Sequence, residues 1–421
     1  MAVRSVKSGK ESISKQASKA KSLKSAKLIV TKKESAAKFT ATKISKDKKV
    51  SLSPTFRSRG GGSLFKNPIS KKKVTRREVV VRRPSKTLER SEINPIITPK
   101  SDNAWESWQT FNPAAVYEGG KFHLLYRAIG EGGYSVLGYA SSSDGHVVDE
   151  RHPFPAYVRS SEKKKLYEVP ILTYASGGGG WNGGAEDPRL TRIDDDLYLI
   201  YTAFDGWSSL RLALTSISLD DFLKKNWDWK EPVFISPPME IHKNWVLFPE
   251  KVQGKFAILH DIDPEISIDY FDSLDELDGK KYIHSKYQRR IVKDRWDSIA
   301  RGVGPPPIKT PYGWLVLYHA IDHRDPGRYK LGAMILDLKD PTKILHRASR
   351  PILEPDEEYE NNGKPGVIYS CGAVVVDGIL YVYYGGADAV TCVATADFKK
   401  FVGDLMKDVS PLLKRRSSKK K

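Results

Sequence analysis

The sequence predicts an all-β protein: a five-bladed β-propeller flanked by basic, disordered N- and C-terminal tails. Three observations lead there. From about residue 79 the chain consists of short apolar runs rich in aromatics and punctuated by Gly, Asp and Pro, which is the texture of strands and turns. One hairpin pattern recurs five times along that region. The excess positive charge lies outside it.

The charge partition sets the boundaries. The 421 residues carry a formal net charge of +19. Residues 1–90 hold 27 Lys+Arg against 5 Asp+Glu, and residues 411–421 hold six Lys+Arg and no acid, which leaves the middle at −9. Residues 1–75 are rich in Lys, Ser and Ala and almost free of aromatics, so they cannot bury enough surface to offset their ordering entropy. They read as a disordered tail, 76–408 as the folded five-bladed propeller domain, and 409–421 as a second basic tail. The tails predict either nonspecific attraction to nucleic acid or anionic surfaces, or simple solubilisation. Only Phe39, Phe56 and Phe65 interrupt the charges of residues 1–75, so base stacking is not expected.

The repeat is seen by stacking five apolar runs in order. They are Gly120-Lys121-Phe122-His123-Leu124-Leu125-Tyr126-Arg127-Ala128, then Asp195 to Ala203, Gly254 to Asp261, Tyr312 to Ala320, and Gly378 to Gly386. Each follows a shorter apolar strand and a turn. In the first four that strand begins at or beside a proline: Pro113, Pro188, Pro249 and Pro307. Further strands, such as Ser135 to Ala140 and Tyr329 to Met334, follow most copies. A hairpin with added strands, repeated at blade-length spacing, suits a propeller better than two packed β domains. Inner strands of a propeller converge on one axis. Arg127, Thr202, Asp261, His319 and Gly385 form one equivalent set, and Asn112, Asp187 and Lys243 another, so polar groups gather in one funnel.

Within this frame the stretch Asn182-Gly183-Gly184-Ala185-Glu186-Asp187-Pro188-Arg189 carries the most chemistry. Glycines permit close backbone approach, proline bars a helix, and a carboxylate at the lip of a strand suits proton transfer. The alternative is a surface turn with solvated charges. If the strand pleat already holds there, Glu186 points away from Asp187 and has no catalytic role.

Cys371 and Cys392 are the two cysteines, both in apolar runs without metal-ligand spacing. They predict a reducing, cytoplasmic compartment with no disulfide. No metal constellation is evident, so no metal or organic cofactor is expected. No apolar run is long enough to span a bilayer, and no apolar segment follows the cationic N-terminus as a signal peptide requires.

Seven strings, in order over roughly residues 90–400, resemble glycoside hydrolase family 130, the β-mannoside phosphorylases and related mannosidases. They are Phe111-Asn112-Pro113-Ala114-Ala115, Leu124 to Ala128, Gly184 to Arg189, Leu247-Phe248-Pro249-Glu250-Lys251, Gly304 to Thr310, Leu317-Tyr318-His319 and Tyr383 to Asp388. The resemblance implies a five-bladed propeller that cleaves terminal β-mannosides with inorganic phosphate as co-substrate, inverting the anomeric carbon to give α-mannose 1-phosphate. It implies that Asp187 is the general acid, acting through the sugar's own 3-hydroxyl. Asn112, Arg127 and Asp388 would then hold mannose, and Lys243, Arg301, His319 and Tyr329 would hold phosphate.

The chemistry agrees. Inversion needs an acid on the leaving-group side and a nucleophile opposite, and cations can orient a phosphate dianion without a second carboxylate. Such an acid must stay protonated, so a raised pKa is expected for Asp187; burial would raise it and a near arginine would oppose. Arg127 could instead form a structural ion pair with Glu186 or Asp388. Two departures stand out. Asp261 occupies a place where the family's phosphorylases carry arginine, and Arg301 replaces a usual lysine. Asp261 is therefore a candidate base for a hydrolytic alternative. A non-catalytic glycan-binding or scaffold propeller, tethered by its tails, is the second alternative.

Overall fold

The chain folds into five antiparallel blades. The computed structural model describes residues 88–159, 183–204, 210–285 and 291–408; the tails expected at 1–75 and 409–421 lie outside the described residues. A short strand, β1 (Glu89–Arg90), comes first. Blade 1 contains β2 (Gln109–Glu118), β3 (Lys121–Ile129), β4 (Tyr134–Ser142) and β5 (Glu150–Arg151). Blade 2 contains β6 (Gly183–Ile193), β7 (Asp196–Phe204), β8 (Leu210–Ser218) and β9 (Val233–Phe234), with helix α1 (Leu219–Lys224) between the last two. Blade 3 has β10 (Val246–Leu247), β11 (Phe256–Asp261) and β12 (Ser267–Phe271). Blade 4 has β13 (Ile299–Val303), β14 (Ile308–Thr310), β15 (Gly313–Asp322), β16 (Asp325–Leu336) and β17 (Ile344–Arg347). Blade 5 has β18 (Ile368–Val376), β19 (Ile379–Gly386) and β20 (Val390–Asp397), followed by helix α2 (Phe398–Lys407).

The five repeated runs are the second strands β3, β7, β11, β15 and β19. The first strand of each blade is the inner one. Blade 5 is completed from the other end of the domain: β1 pairs with β20, Glu89 opposite Thr395. This joins the N-terminal strand to the last blade and shortens the exposed edges. A two-residue strand has no readable alternation, so it left no sequence signal. Blades 1 and 2 also touch directly, β4 running parallel to β6 with Ser135 opposite Gly184. Only glycine fits there: a Cβ on Gly184 would lie 2.2 Å from the Ser135 carbonyl oxygen, and its φ is +125°.

Apolar side chains on the faces of neighbouring blades form the core. Leu125, Leu137, Leu190 and Leu199 pack between blades 1 and 2, and Leu317, Leu331, Ile368 and Val382 between blades 4 and 5. Each such side chain, fully buried, contributes roughly 1.5–3 kcal/mol. Both cysteines are free and buried, Cys392 in the second of these clusters and Cys371 beside Val367 and Tyr369.

Pro113, Pro188 and Pro249 occupy different places from those expected, while Pro307 stands directly before β14 as expected. Pro113 and Pro188 lie inside β2 and β6, where the register shifts between Phe111 and Ala114 and between Glu186 and Arg189. A bulge is where a strand tolerates a residue without an N–H. Pro249 follows β10, and Pro307 precedes β14. Inner strands β13 and β18 bulge as well, between Ala300 and Gly302 and between Ser370 and Gly372. These kinks turn side chains toward the axis.

Among the described residues, no helix is long and apolar enough to cross a membrane.

Candidate active site

The inner strands surround a cavity of about 290 Å³. Its polar lining comes from every blade: Asn112 and Arg127 from blade 1, Asp187 from blade 2, Lys243 and Asn244 ahead of blade 3, Arg301 and Tyr329 from blade 4, and Tyr369 and Asp388 from blade 5, with Lys364 at its approach. Four of these residues hold left-handed backbone: Asn112 (φ 49°), Asp187 (51°), Asn244 (69°) and Asp388 (50°). Asn and Asp enter that region more readily than other side-chain-bearing residues, at about 1–3 kcal/mol of strain each.

Asp187 is 4 % exposed. Its Oδ1 accepts from Asn112 Nδ2 at 2.9 Å and from Arg127 Nη1 at 3.1 Å. Among the described residues Oδ2 accepts no hydrogen bond, which leaves it for a ligand in the cavity that Asp187 lines. Burial alone would raise this carboxyl's pKa, but Arg127, Lys243, Arg189 and the Asn112 bond outweigh it and hold it well below the usual range. The raised pKa expected from the sequence is therefore corrected: the neighbouring cations outweigh burial.

Arg127 is bound on three sides. Nε donates to Ser135 Oγ at 2.9 Å, Nη1 to Asp187, and Nη2 to Glu186 Oε1 at 2.8 Å, with the guanidinium 4.8 Å from the Phe111 ring centre. Arg127 is ion-paired with Glu186 and Asp187, and it also lines the cavity. Glu186 also accepts from Lys243 Nζ at 3.2 Å. The expectation that Glu186 points away is corrected. The bulge and the left-handed Asp187 break the alternation, so both acids converge on Arg127.

Lys243 is 32 % exposed at its side chain. Partial burial would lower its pKa, but Glu186 and Asp187 more than offset this and keep it cationic. Arg301 donates Nε to the Tyr329 hydroxyl, and its guanidinium lies 5.3 Å from that ring. Asp388 Oδ2 pairs with Lys364 Nζ at 3.0 Å. Burial pushes Asp388's pKa up, Lys364 opposes, and Asp187 adds to the rise.

Two expected residues do not line the cavity. His319 on β15 is fully buried and stacks on Tyr369 with ring centres 4.0 Å apart. Its Nε2 accepts from the Ser370 N–H at 2.9 Å, and burial with Arg189 pushes its pKa down to about 3. It is a neutral ring behind the wall, not a cation facing phosphate. Asp261, at the end of β11, turns Oδ1 to the N–H groups of Ile262 (2.8 Å) and Asp263 (3.1 Å). Burial raises its pKa to about 6. The reason is shared: both lie on second strands, one layer behind the inner ones. Arg127 spans that layer because it is long.

Sequence reasoning missed Asn244, Tyr369 and Lys364. Asn244 adjoins Lys243, but blade 3's inner strand is two residues long and gave no register. Tyr369 lies on β18, for which the sequence offered no proline marker, so it had nothing to align on. Arg189, read only as part of the motif, is fully buried and ties the blades together. It donates to the Gly304 carbonyl at 2.9 Å, to the Asp187 carbonyl at 2.8 Å and to Asn244 Oδ1 at 3.0 Å.

A buried acid held beside cations, lining the axial cavity of a five-bladed propeller, suits proton and group transfer on a polar substrate. The sequence model of glycoside hydrolase family 130, described as β-1,4-mannooligosaccharide phosphorylase, matches residues 70–408, and the chain belongs to this family. It is an enzyme of the glycoside phosphorylase, glycosyltransferase type. Among its relatives, the 1,2-β-oligomannan phosphorylase of Thermoanaerobacter sp. (strain X514) is 38% identical over 323 residues, covering 74% of this chain and 98% of the relative. The β-1,2-mannobiose phosphorylase of the same organism is 37% identical over 327 residues, with coverages of 74% and 98%. A crystal structure of a glycosyl hydrolase from Bacteroides ovatus superimposes with a TM-score of 0.59 at 25% identity, covering 74% of this chain and 94% of that one.

Proposed function

We propose that the cavity phosphorolyses a terminal β-mannoside of a manno-oligosaccharide, releasing α-mannose 1-phosphate and the shortened sugar. The carrying observation is the charge of the lining. Among the described residues, Arg127, Lys243, Arg301 and Lys364 line it with two carboxylates, Asp187 and Asp388, and Glu186 pairs with Arg127 and Lys243 beside it, so four cations meet three carboxylates. An excess of cations at a buried site suits a phosphate dianion. Hydrolysis by the expected route is not favoured, because Asp261 stands outside the lining.

In this reading Asn112, Arg127 and Asp388 hold the mannose, and Lys243, Arg301 and the Tyr329 hydroxyl hold phosphate on the face opposite the leaving oxygen. A phosphate oxygen bonds to C1 as the C1–O bond to the leaving sugar breaks. The leaving oxygen takes its proton from Asp187, relayed through the mannose 3-hydroxyl as the family resemblance implies. Asp187 must gain that proton first. The dianion supplies the means, since its charge beside Lys243 offsets the cations that hold the carboxyl ionised. Phosphate binding and acid protonation are thereby coupled.

For the linkage, the names of the two Thermoanaerobacter relatives favour β-1,2. The test is incubation with β-1,2- and β-1,4-mannobiose, with and without phosphate, followed by phosphorus NMR. Phosphate-dependent α-mannose 1-phosphate from the β-1,2 substrate is expected. Free mannose released equally without phosphate would overturn phosphorolysis, and preference for the β-1,4 substrate would overturn the linkage.

A further inference from the structure

Glu186 takes no part in the bond-making above, yet it connects the acid to the phosphate cations. It is 2 % exposed, and its hydrogen-bond partners among the described residues are two cations. Oε1 meets Arg127 Nη2 at 2.8 Å, and Oε2 meets Lys243 Nζ at 3.2 Å. With Nε held by Ser135 and Nη2 by Glu186, the Arg127 fork has one direction left for Nη1, toward Asp187 Oδ1. Lys243 is held by the longer contact and is partly exposed, so it can turn toward an incoming anion.

We propose that Glu186 is a positioning residue that divides these two cations between the acid and the phosphate. It locks Arg127 against Asp187 and keeps Lys243 at the acid side of the cavity until phosphate takes it. This rests on the phosphorolysis reading. Removing the Glu186 charge should therefore act in two opposite directions. Lys243 loses the partner that competes with phosphate, so phosphate binds more tightly. Asp187 then faces Arg127 and Lys243 with less negative charge nearby, so it holds its proton less well. The other groups acting on Asp187 are Arg189 on its own strand, Asp388 in blade 5, and the uncharged Tyr369, Cys371 and His319. None of these changes in the variant.

The experiment is steady-state phosphorolysis of β-1,2-mannobiose by Glu186→Gln, which keeps the side chain's size, with phosphate varied from pH 5 to 9. The phosphate KM is expected to fall by roughly 3- to 10-fold while kcat also falls, and the alkaline limb of kcat to move down by about one pH unit. A purely structural role predicts a KM that rises or stays fixed and a limb that does not move, and either result overturns the proposal. In a Lys243→Met background the KM gain of Glu186→Gln should vanish, because there is no lysine left to release. If Glu186→Gln does not fold, Glu186→Asp decides: the shorter carboxylate keeps the charge but withdraws from Lys243, so the phosphate KM must still fall, and a KM that does not fall overturns the proposal. A wild-type enzyme that is indifferent to phosphate overturns the phosphorolysis reading instead, so the two failures are distinct.

Discussion

Asn112 and Asp187 occupy the same place in successive blades, and they hydrogen-bond to each other. Each precedes a proline in an inner-strand bulge, each holds left-handed backbone, and Nδ2 of one donates to Oδ1 of the other at 2.9 Å. Two copies of one structural position thus meet side by side at the cavity as a carboxyl group and the amide that orients it.

This pairing makes Asp187→Asn the direct test of the acid. Turnover should fall on the order of 10²–10⁴-fold, the usual contribution of a general acid. The circular dichroism spectrum should be unchanged, since Arg127 keeps its bond to Glu186. Release of sugar 1-phosphate measures the loss.

Gly385→Ala should act on the same pair from behind. A Cβ there would come within 2.1 Å of Asn112 Oδ1 and 2.9 Å of its backbone N. Asn112 must shift away from Asp187. We expect about 1–3 kcal/mol of destabilisation in urea and at least a roughly tenfold loss of kcat, without any change in the acid itself.

Arg301→Met should raise the phosphate KM roughly 10- to 100-fold, the worth of one charge-assisted contact. The mannoside KM should stay within about twofold, because the sugar contacts assigned to Asn112, Arg127 and Asp388 are untouched. Initial rates with each substrate varied in turn separate the two.

Asp261→Asn should leave activity within about twofold, because the side chain lies outside the cavity lining. Its effect is on stability. Burial raises its pKa from 3.8 to about 6, so the folded state binds the proton more tightly than the unfolded one. Between about pH 4 and 6 the wild type therefore loses stability as pH rises. Asn keeps an oxygen for the Ile262 and Asp263 N–H groups and does not ionise. Denaturation midpoints across that range should converge at low pH and favour the variant above pH 6.

For Asp187 the sign is reversed. Its folded pKa is depressed, so its contribution to stability is complete above the unfolded value near 4 and is lost as pH falls below it. Comparing wild type with Asp187→Asn in acid should show the difference between them shrinking as pH drops.

Much of this enzyme is legible one residue at a time. The five apolar runs mark the second strands because alternation and turn residues are local properties. The Asn-Pro and Asp-Pro dipeptides mark the first two inner strands, and the ordered motifs indicate Asp187, Asn112, Arg127 and Asp388, all of which line the cavity. What the strings could not carry depends on depth and on neighbours distant in sequence. His319 and Asp261 look equivalent to Arg127 by register, but a second strand lies behind the wall, and only a long side chain crosses it. Glu186 faces its partner because a bulge cancels the pleat, and the direction of Asp187's pKa depends on cations from three blades. Local pattern alone determined strands, repeats and candidate chemistry. Only the tertiary structure decided which charges share a buried space, because Coulomb interactions and desolvation depend on distance through the fold rather than along the chain.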